Sequence, residues 1–352
     1  MLLKSIVVLA LFAGICSLGA ADLTVTDFFK NDGKSDVSDA IQKIINENPN
    51  RTIYFPDGVY MLSKPIVTPA DPQKSVSLKL AEYAVLKAAE NWTSAEAVVR
   101  LGGSDPAHDI TQIGANYSFA GGYIDGSGVA NGIAIESGRE TVIRNTSIKN
   151  TRIGVHIKRD PQYGSSDADI HQVNVYGTGA PDSIGVWVQG ADNTISNMRI
   201  GNVHIGVRVD SGGNSMRDLH PLYIHKRTIP DEQFRSSIGF LDRSGANWYD
   251  YCYSDQFATG FVTTTNAASH FSRCFCYWYS SRGGTETAFR AEKRFNSVVS
   301  DLRVDFRKDT RNIFLRVGES GGKGELRNPV FRQERTEDAG YQSYLKGNIM
   351  PL

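Results

Sequence analysis

A short glycine-led phrase recurs through the middle of this chain and constrains its fold more than any other feature. Gly132-Ile133-Ala134-Ile135, Gly154-Val155-His156-Ile157, Gly185-Val186-Trp187-Val188, Gly206-Val207-Arg208-Val209, Gly239-Phe240-Leu241-Asp242 and Gly260-Phe261-Val262-Thr263 share one pattern. Thr287-Ala288-Phe289-Arg290-Ala291 and Asn312-Ile313-Phe314-Leu315-Arg316 are weaker copies. The glycines step by 22, 31, 21, 33 and 21 residues. A step near 21 suits one coil of a β-solenoid, and the longer steps are the same coil with a loop inserted.

Each phrase alternates, so that Val155 and Ile157 point inward while His156 and Lys158 point outward. A second apolar element precedes each glycine: Ile143, Thr146 and Ile148 before Gly154, Ile170, Val173 and Val175 before Gly185, and Ile195, Met198 and Ile200 before Gly206. Asn193, Asn214 and Asn247 each open a coil, and Asn296 opens a later one, so their amides can share hydrogen bonds along the axis. Short strands turned by Gly, Asn, Asp and Ser also suit a sandwich or barrel. The in-phase repetition selects an all-β parallel solenoid instead.

The ends fit that plan. Lys4, the apolar run Ile6 to Ile15 and the small residues up to Ala21 describe a secretory signal peptide, too short to span a bilayer. The chain therefore reads as a leader over 1–21 and one domain over 22–352. That domain divides into an opening segment and cap (22–66), main coils (109–322) and a C-terminal cap (323–352). Asp36 to Asn46 reads as an amphipathic helix with Ile41, Ile44 and Ile45 on one face and Ser35 or Asp36 as N-cap, placed to cover the first coil.

Lys and Arg number 38, as do Asp and Glu, so no global charge points to nucleic acid or an anionic membrane. Of the cysteines, Cys16 falls in the leader, and Cys252, Cys274 and Cys276 make no disulfide framework. Cys252 and Cys274 lie one coil apart, near enough for a bridge, although buried stacked thiols are the simpler reading.

The run Phe28-Phe29-Lys30-Asn31-Asp32-Gly33-Lys34-Ser35-Asp36, then Ala40-Ile41-Gln42, then Ile53-Tyr54-Phe55-Pro56-Asp57-Gly58-Val59-Tyr60, resembles the start of pectate-lyase superfamily proteins of the rhamnogalacturonase/epimerase type. Asn31 and Ser35 stand where that pattern has glycine and threonine. The resemblance implies a right-handed parallel β-helix with a carbohydrate substrate and leaves the chemistry open, because that superfamily hosts hydrolases, lyases, epimerases and phage tailspikes. The Asn-Thr-Asp, Asp-Asp, Gly-His-Gly and Arg-Ile-Lys motifs of polygalacturonase-type hydrolases are not present, and His156-Ile157-Lys158 only echoes the last.

Outward positions on successive coils stack about 4.8 Å apart. One column reads Ala134, His156, Trp187, Arg208, Leu241, Val262, Arg290; its neighbour reads Glu136, Lys158, Gln189, Asp210, Arg243, Thr264, Glu292. His156, Lys158, Arg208 and Asp210 are the catalytic candidates, with Trp187 and Gln189 as substrate contacts. Arg208 and Lys158 would bind a uronate carboxylate, His156 or Lys158 would serve as base, and Trp187 would stack on a sugar ring. The bland alternative is a solvated face with an incidental Lys–Asp pair. A hydrolase needs two carboxyl groups about 5 to 9.5 Å apart, and Glu136 and Asp210 stand three coils apart.

A second constellation, Asp218 to Arg227, lies in the longest inserted loop and offers His220, Tyr223 and His225. Tyr249, Asp250, Tyr253, Asp255, His270, Arg273, Tyr277 and Arg282 follow on later coils. Tyr249, Asp250 and Arg273 join the substrate-binding candidates. The spacing of His220 and His225 matches no zinc signature, and no metal centre or cofactor is expected, with calcium at acids such as Asp160, Asp167 and Asp169 left open. The expectation is a secreted protein that cleaves a uronate-containing polysaccharide by β-elimination. The alternatives are a glycoside hydrolase on the same scaffold or a non-catalytic, adhesin-like glycan binder. Oligomeric state is not legible.

Overall fold

A computed structural model describes residues 22–71, 73–103, 117–159, 164–224, 226, 228–279, 286–306 and 313–333. The leader, Asp160, His225, Arg282 and Asn312 lie outside the described residues. The chain is a right-handed parallel β-helix whose successive coils pair in parallel along three faces. The third face carries the glycine phrase. It runs from Ile66–Val67 through Ile153–Ile157, Ile184–Val188 and Ile205–Val209 to Ile313–Glu319. The first and second faces share long strands such as Val142–Thr151, Asp169–Gly177 and Thr194–Gly201.

One residue makes the bend inside each of those strands. Asn145, Gln172, Asn197 and Asp218 have φ of 54°, 54°, 50° and 53°, and Tyr251, Arg273 and Asp301 repeat this on later coils. Asn and Asp enter this left-handed region at the least cost, which explains their recurrence there. The left-handed residue reverses the in–out parity, so the next side chain (Thr146, Val173, Met198, Leu219, Cys252, Cys274 or Leu302) turns into the core. Cys252, Cys274 and Cys276 are buried free thiols, two of them on adjacent coils of this corner. Burial pushes the Cys252 and Cys276 thiols well above their ordinary value.

The polar stack at the corner between third and first faces is a hydrogen-bonded ladder. Asn193 Nδ2 donates to Asn214 Oδ1 at 2.8 Å, Asn214 Nδ2 donates to Asn247 Oδ1 at 3.2 Å, and Oδ1 of each also accepts a backbone N–H. Asn247 N then donates to Ser269 Oγ and Ser269 N to Ser297 Oγ, so serine continues the ladder and Asn296 is displaced one residue to bond Asn266 O. Asp242 turns into the core, accepting from Ser269 Oγ at 2.6 Å and Gly245 N at 2.8 Å. Replacing Asn214 by alanine leaves the buried Asn193 N–H without its acceptor. The expected loss is about 2 kcal/mol in urea denaturation.

Coiling begins earlier than the glycine phrase suggests, for Thr52–Phe55 already pairs with Ser77–Leu80 and Gly58–Leu62 with Ala84–Ala88. Glu325–Arg327 and Val330–Gln333 add strands to the first and second faces, so the described part of 323–352 extends the helix where a cap was expected. The N-terminal helix spans Ser38–Glu47, starting two residues later than the sequence suggests, with Ile41, Ile44 and Ile45 buried. Asp36 still serves its start by accepting from Ser38 N. Gln42 accepts from Val67 N and donates to Val67 O, both at 2.8 Å, supplying the terminal strand of the third face with the partners another strand would give. Among the described residues, no helix is long and apolar enough to cross a membrane.

Candidate functional site

The two outward columns read from the phrase exist in register on the third face: Ala134 pairs with His156, His156 with Trp187, Trp187 with Arg208, and Arg208 with Leu241. The candidates are thus brought together, but they are engaged with one another. The rings of His156 and Trp187 stack at 4.4 Å and 5°, and the Arg208 guanidinium lies 4.4 Å from the indole on the next coil. Both faces of Trp187 are therefore covered, and its Nε1 donates to Asp210 Oδ2 at 2.8 Å. No sugar can stack on this indole without displacing a neighbour, which corrects its expected role as a platform.

Arg208 is held by Asp210 at 2.9 Å, and Arg243 approaches the same carboxylate at 3.6 Å. Lys158 Nζ sits between Glu136 (2.6 Å) and Glu96 (3.1 Å), while Arg100 binds Glu136 through two nitrogens. Burial pushes the Glu96 carboxyl up, and Lys158 and Arg100 more than offset it, leaving it below the usual carboxylate range. The two glutamates meet at Lys158, yet Glu96 is held as an anion, unsuited to general-acid work.

His156 Nε2 bonds Gln189 Oε1 at 2.7 Å. Burial lowers its pKa to about 4; Gln189 opposes this and Lys158 adds to it. In the unfolded chain the imidazole takes a proton near its ordinary value of 6.5. Protons therefore bind the unfolded state first, and the stability present above pH 6.5 is lost as pH falls toward about 4. The urea midpoint is expected to drop through that window, and His156→Gln is expected to flatten that part of the profile.

The second face offers the opposite arrangement, with groups left open. One outward column runs Tyr123, Ser147, Asn174, Arg199, His220, and its neighbour runs Asp125, Lys149, Tyr176, Gly201, Leu222, Asp255. All of these except Asp125 and Asp255, together with Ile224, border a cavity of about 400 Å³, within the range of small-ligand sites. His220 lies on the strand Ser215–Leu222, where a loop was expected; the insertion starts after Leu222 and contains the helix Asp231–Arg235.

Arg199 is exposed, and its guanidinium donates only to Met198 O, with no carboxylate in ion-pair range among the described residues. Lys149 reaches Asp125 at 3.6 Å and remains half exposed. His220 stacks on Tyr253 at 4.1 Å and 15°, and its Nε2 lies 3.4 Å from Asp255 Oδ2. Asp255 Oδ1 is buried without a partner. Burial first, then the Asp255 carboxylate, push the Tyr253 phenol well above its ordinary range, so it stays protonated. These groups form a face with one cation free of any carboxylate at Arg199, an exposed aromatic at Tyr176 and a histidine beside a carboxylate.

The remaining candidates fall elsewhere. Tyr249 and Tyr223 are buried, 1% and 3% exposed, because strand parity turns them into the core; neither can touch a glycan. Arg273 grips Asp250 through two nitrogens at 2.9 and 2.6 Å and lies over the Tyr251 ring, a self-contained pair at the corner of the first face. Asp167 is bound by Arg139 at 2.8 Å and Asp169 begins the next strand. Among the described residues, no three His, Cys, Asp or Glu side chains form a metal-binding group. Sequence reasoning passed over Lys149, Tyr176 and Arg199, although outward parity before each glycine phrase already marks their columns.

The family described as rhamnogalacturonase A/epimerase, pectate lyase-like matches residues 24–220. No curated protein sequence matches. Several solved structures share the fold. The tailspike protein of Escherichia coli bacteriophage HK620, solved with a pentasaccharide, is similar at a TM-score of 0.66 and 10% identity over 89% of this chain. This chain spans 63% of that tailspike chain. The A-module of the mannuronan C-5 epimerase AlgE4 from Azotobacter vinelandii is similar at 0.61 and 11% identity, covering 90% of this chain and 98% of its own. An alginate lyase from Paenibacillus sp. str. FPU-7 is similar at 0.58 and 13% identity, covering 85% and 98%.

Proposed function

Because the chain belongs to the rhamnogalacturonase A/epimerase, pectate lyase-like family, we propose that it is a secreted enzyme that cleaves an acidic, uronate-containing polysaccharide by β-elimination on its second face. The observation that carries this reading is Arg199, free of any carboxylate, beside His220 in one open groove. Elimination requires that the uronate carboxylate be neutralised, which acidifies the hydrogen on the adjacent carbon. Arg199 supplies that charge with no carboxylate to give up, and Lys149, 3.6 Å from Asp125, adds to it. His220 takes the proton at Nδ1, its Nε2 being turned to Asp255. The carbon–oxygen bond to the leaving sugar breaks, the double bond forms, and the departing oxygen takes a proton from water in the open groove. Asp255 orients the imidazole.

The likeness in fold to a mannuronan epimerase, an alginate lyase and a tailspike solved with a pentasaccharide supports a polysaccharide as the substrate class. The third-face patch gives weaker support to the same chemistry, because Lys158 is already neutralised by Glu136 and Glu96, and Arg208 by Asp210. The test is incubation of the purified protein with pectate, alginate and glycosaminoglycans, followed by ultraviolet absorbance and mass of products. Unsaturated fragments lost in His220→Ala support elimination. Fragments heavier by one water would indicate hydrolysis, and saturable binding without any product would indicate a lectin-like role.

A further inference from the structure

Trp187 and Trp248 both occupy outward positions, and their surroundings are opposite. The indole of Trp187 is covered on both sides, by His156 and by Arg208. Trp248 lies on the first face, between Ser215 on the preceding coil and His270 on the next. Its ring runs nearly parallel to His270, 12° apart with centroids at 6.4 Å. The other side turns toward Ser215 and, one coil further, Thr194, both short and exposed. Among the described residues, no ring or cation lies on that side, and Trp248 is 51% exposed. Coils repeat at about 4.8 Å, within the separation at which stacked rings attract one another. The ladder of rings therefore stops one rung short, leaving an indole face open above Ser215.

The groups around that face identify what it takes. Thr194 and Ser215 present hydroxyls, and Arg217, two residues along the same strand, presents a guanidinium. Arg217 is only loosely held, 3.8 Å from Asp218 in a pair that is mostly exposed. An apolar side chain of another protein would strip water from these groups and return no hydrogen bond. A pyranose ring answers both demands: its C–H face packs on the indole, and its peripheral oxygens bond the hydroxyls and the guanidinium. We infer that Trp248, with Ser215, Thr194 and Arg217, forms a second sugar-binding site, a platform that takes one pyranose ring of a polysaccharide. The left-handed bend at Asp218 separates it from His220 on the same strand, so the platform lies outside the second-face groove. It stands whether or not that groove is catalytic.

The chain has four tryptophans, and Trp248 is the accessible one, since Trp92 and Trp278 are buried and Trp187 is sandwiched. Acrylamide quenching of the intrinsic fluorescence therefore reads this indole, and no tryptophan borders the second-face groove to confuse the signal. Short oligosaccharides of polygalacturonate, alginate and cellulose are the probes, with His220→Ala as the background so that none is consumed. Saturation with at least one of them is expected to lower the quenching constant by about half, because one of two ring faces becomes covered. Ser215→Tyr supplies the missing rung from an outward position and is expected to abolish the protection at an unchanged urea midpoint. Trp248→Ala is expected to weaken retention of the parent polymer in affinity electrophoresis about 2- to 10-fold. Unchanged quenching with all three saccharides at millimolar concentration overturns the inference. So does a quenching constant that falls with protein concentration alone, which would put a second copy of the chain over the indole. Protection without any cleavage by wild type keeps this site and removes the second-face reading; cleavage without protection does the reverse.

Discussion

Gly206→Ala is expected to lose about 3 kcal/mol of stability, and Gly206→Val to leave no cooperative unfolding transition. A Cβ on Gly206 would stand 2.4 Å from Gly239 O and 2.4 Å from Pro221 Cβ. Neither neighbour can yield, since one is backbone of the next coil and the other a proline ring in the facing strand. The same clash recurs along the stack, where Gly185 faces Ile200 Cγ2 at 2.3 Å and Gly239 faces Ser254 Oγ at 2.2 Å. Second and third faces converge at this line, so an added methyl must push the coils apart or tilt the strand. Overpacking of a closed core typically costs 1–3 kcal/mol per insertion, and an immovable backbone contact belongs at the upper end. Urea denaturation of Gly206→Ala against Gly201→Ala isolates the effect, because both replace a strand glycine while only Gly206 faces inward. Equal stability in the two variants would falsify the convergence of the faces as the reason for the phrase.

That convergence also explains why this part of the fold could be read from sequence. A coil that tolerates only glycine at one point stamps its period on the chain, and once the phase is known, alternation fixes each neighbour. The columns Ala134 to Arg290 and Glu136 to Asp210 follow directly, as does the inward turn of Asp242. The reading weakened where no steric anchor recurs. Ahead of Gly132, the second and third faces carry Ala84–Ala88 and Ala97–Leu101, which pair correctly without the glycine signature. At the first corner, one left-handed residue flips the parity, so a reader counting from the third face places Tyr249 outward and finds it buried.

The functional site was legible only in composition. His156, Lys158, Trp187, Arg208 and Asp210 have the right types for uronate chemistry and the right register, yet opposite charges at i and i+2 and on adjacent coils neutralise one another. Sequence can put two residues in one column, but it does not say which of them already holds its neighbour. Arg199 differs because the residues on either side of it in its column are Asn174 and His220, which leave its guanidinium without a carboxylate.

The sharpest functional consequence is a contrast between two arginines that sequence alone treats alike. Arg199→Ala is expected to lower turnover of a uronate polymer by about 100-fold or more, the usual cost of removing a charge that stabilises the anionic intermediate. Arg208→Ala, on the other face, is expected to leave turnover within about two-fold of wild type, while weakening the fold because Asp210 loses its closest cation. Rates and urea midpoints measured together on both variants separate the two roles. Were the third face the site of chemistry, the pattern would invert, with Arg208→Ala inactive at a pH where it remains folded. Arg199→Lys sharpens the contrast further: it keeps the charge and loses the planar pair of donors. Partial recovery of rate with a raised KM would place this arginine on the substrate carboxylate itself.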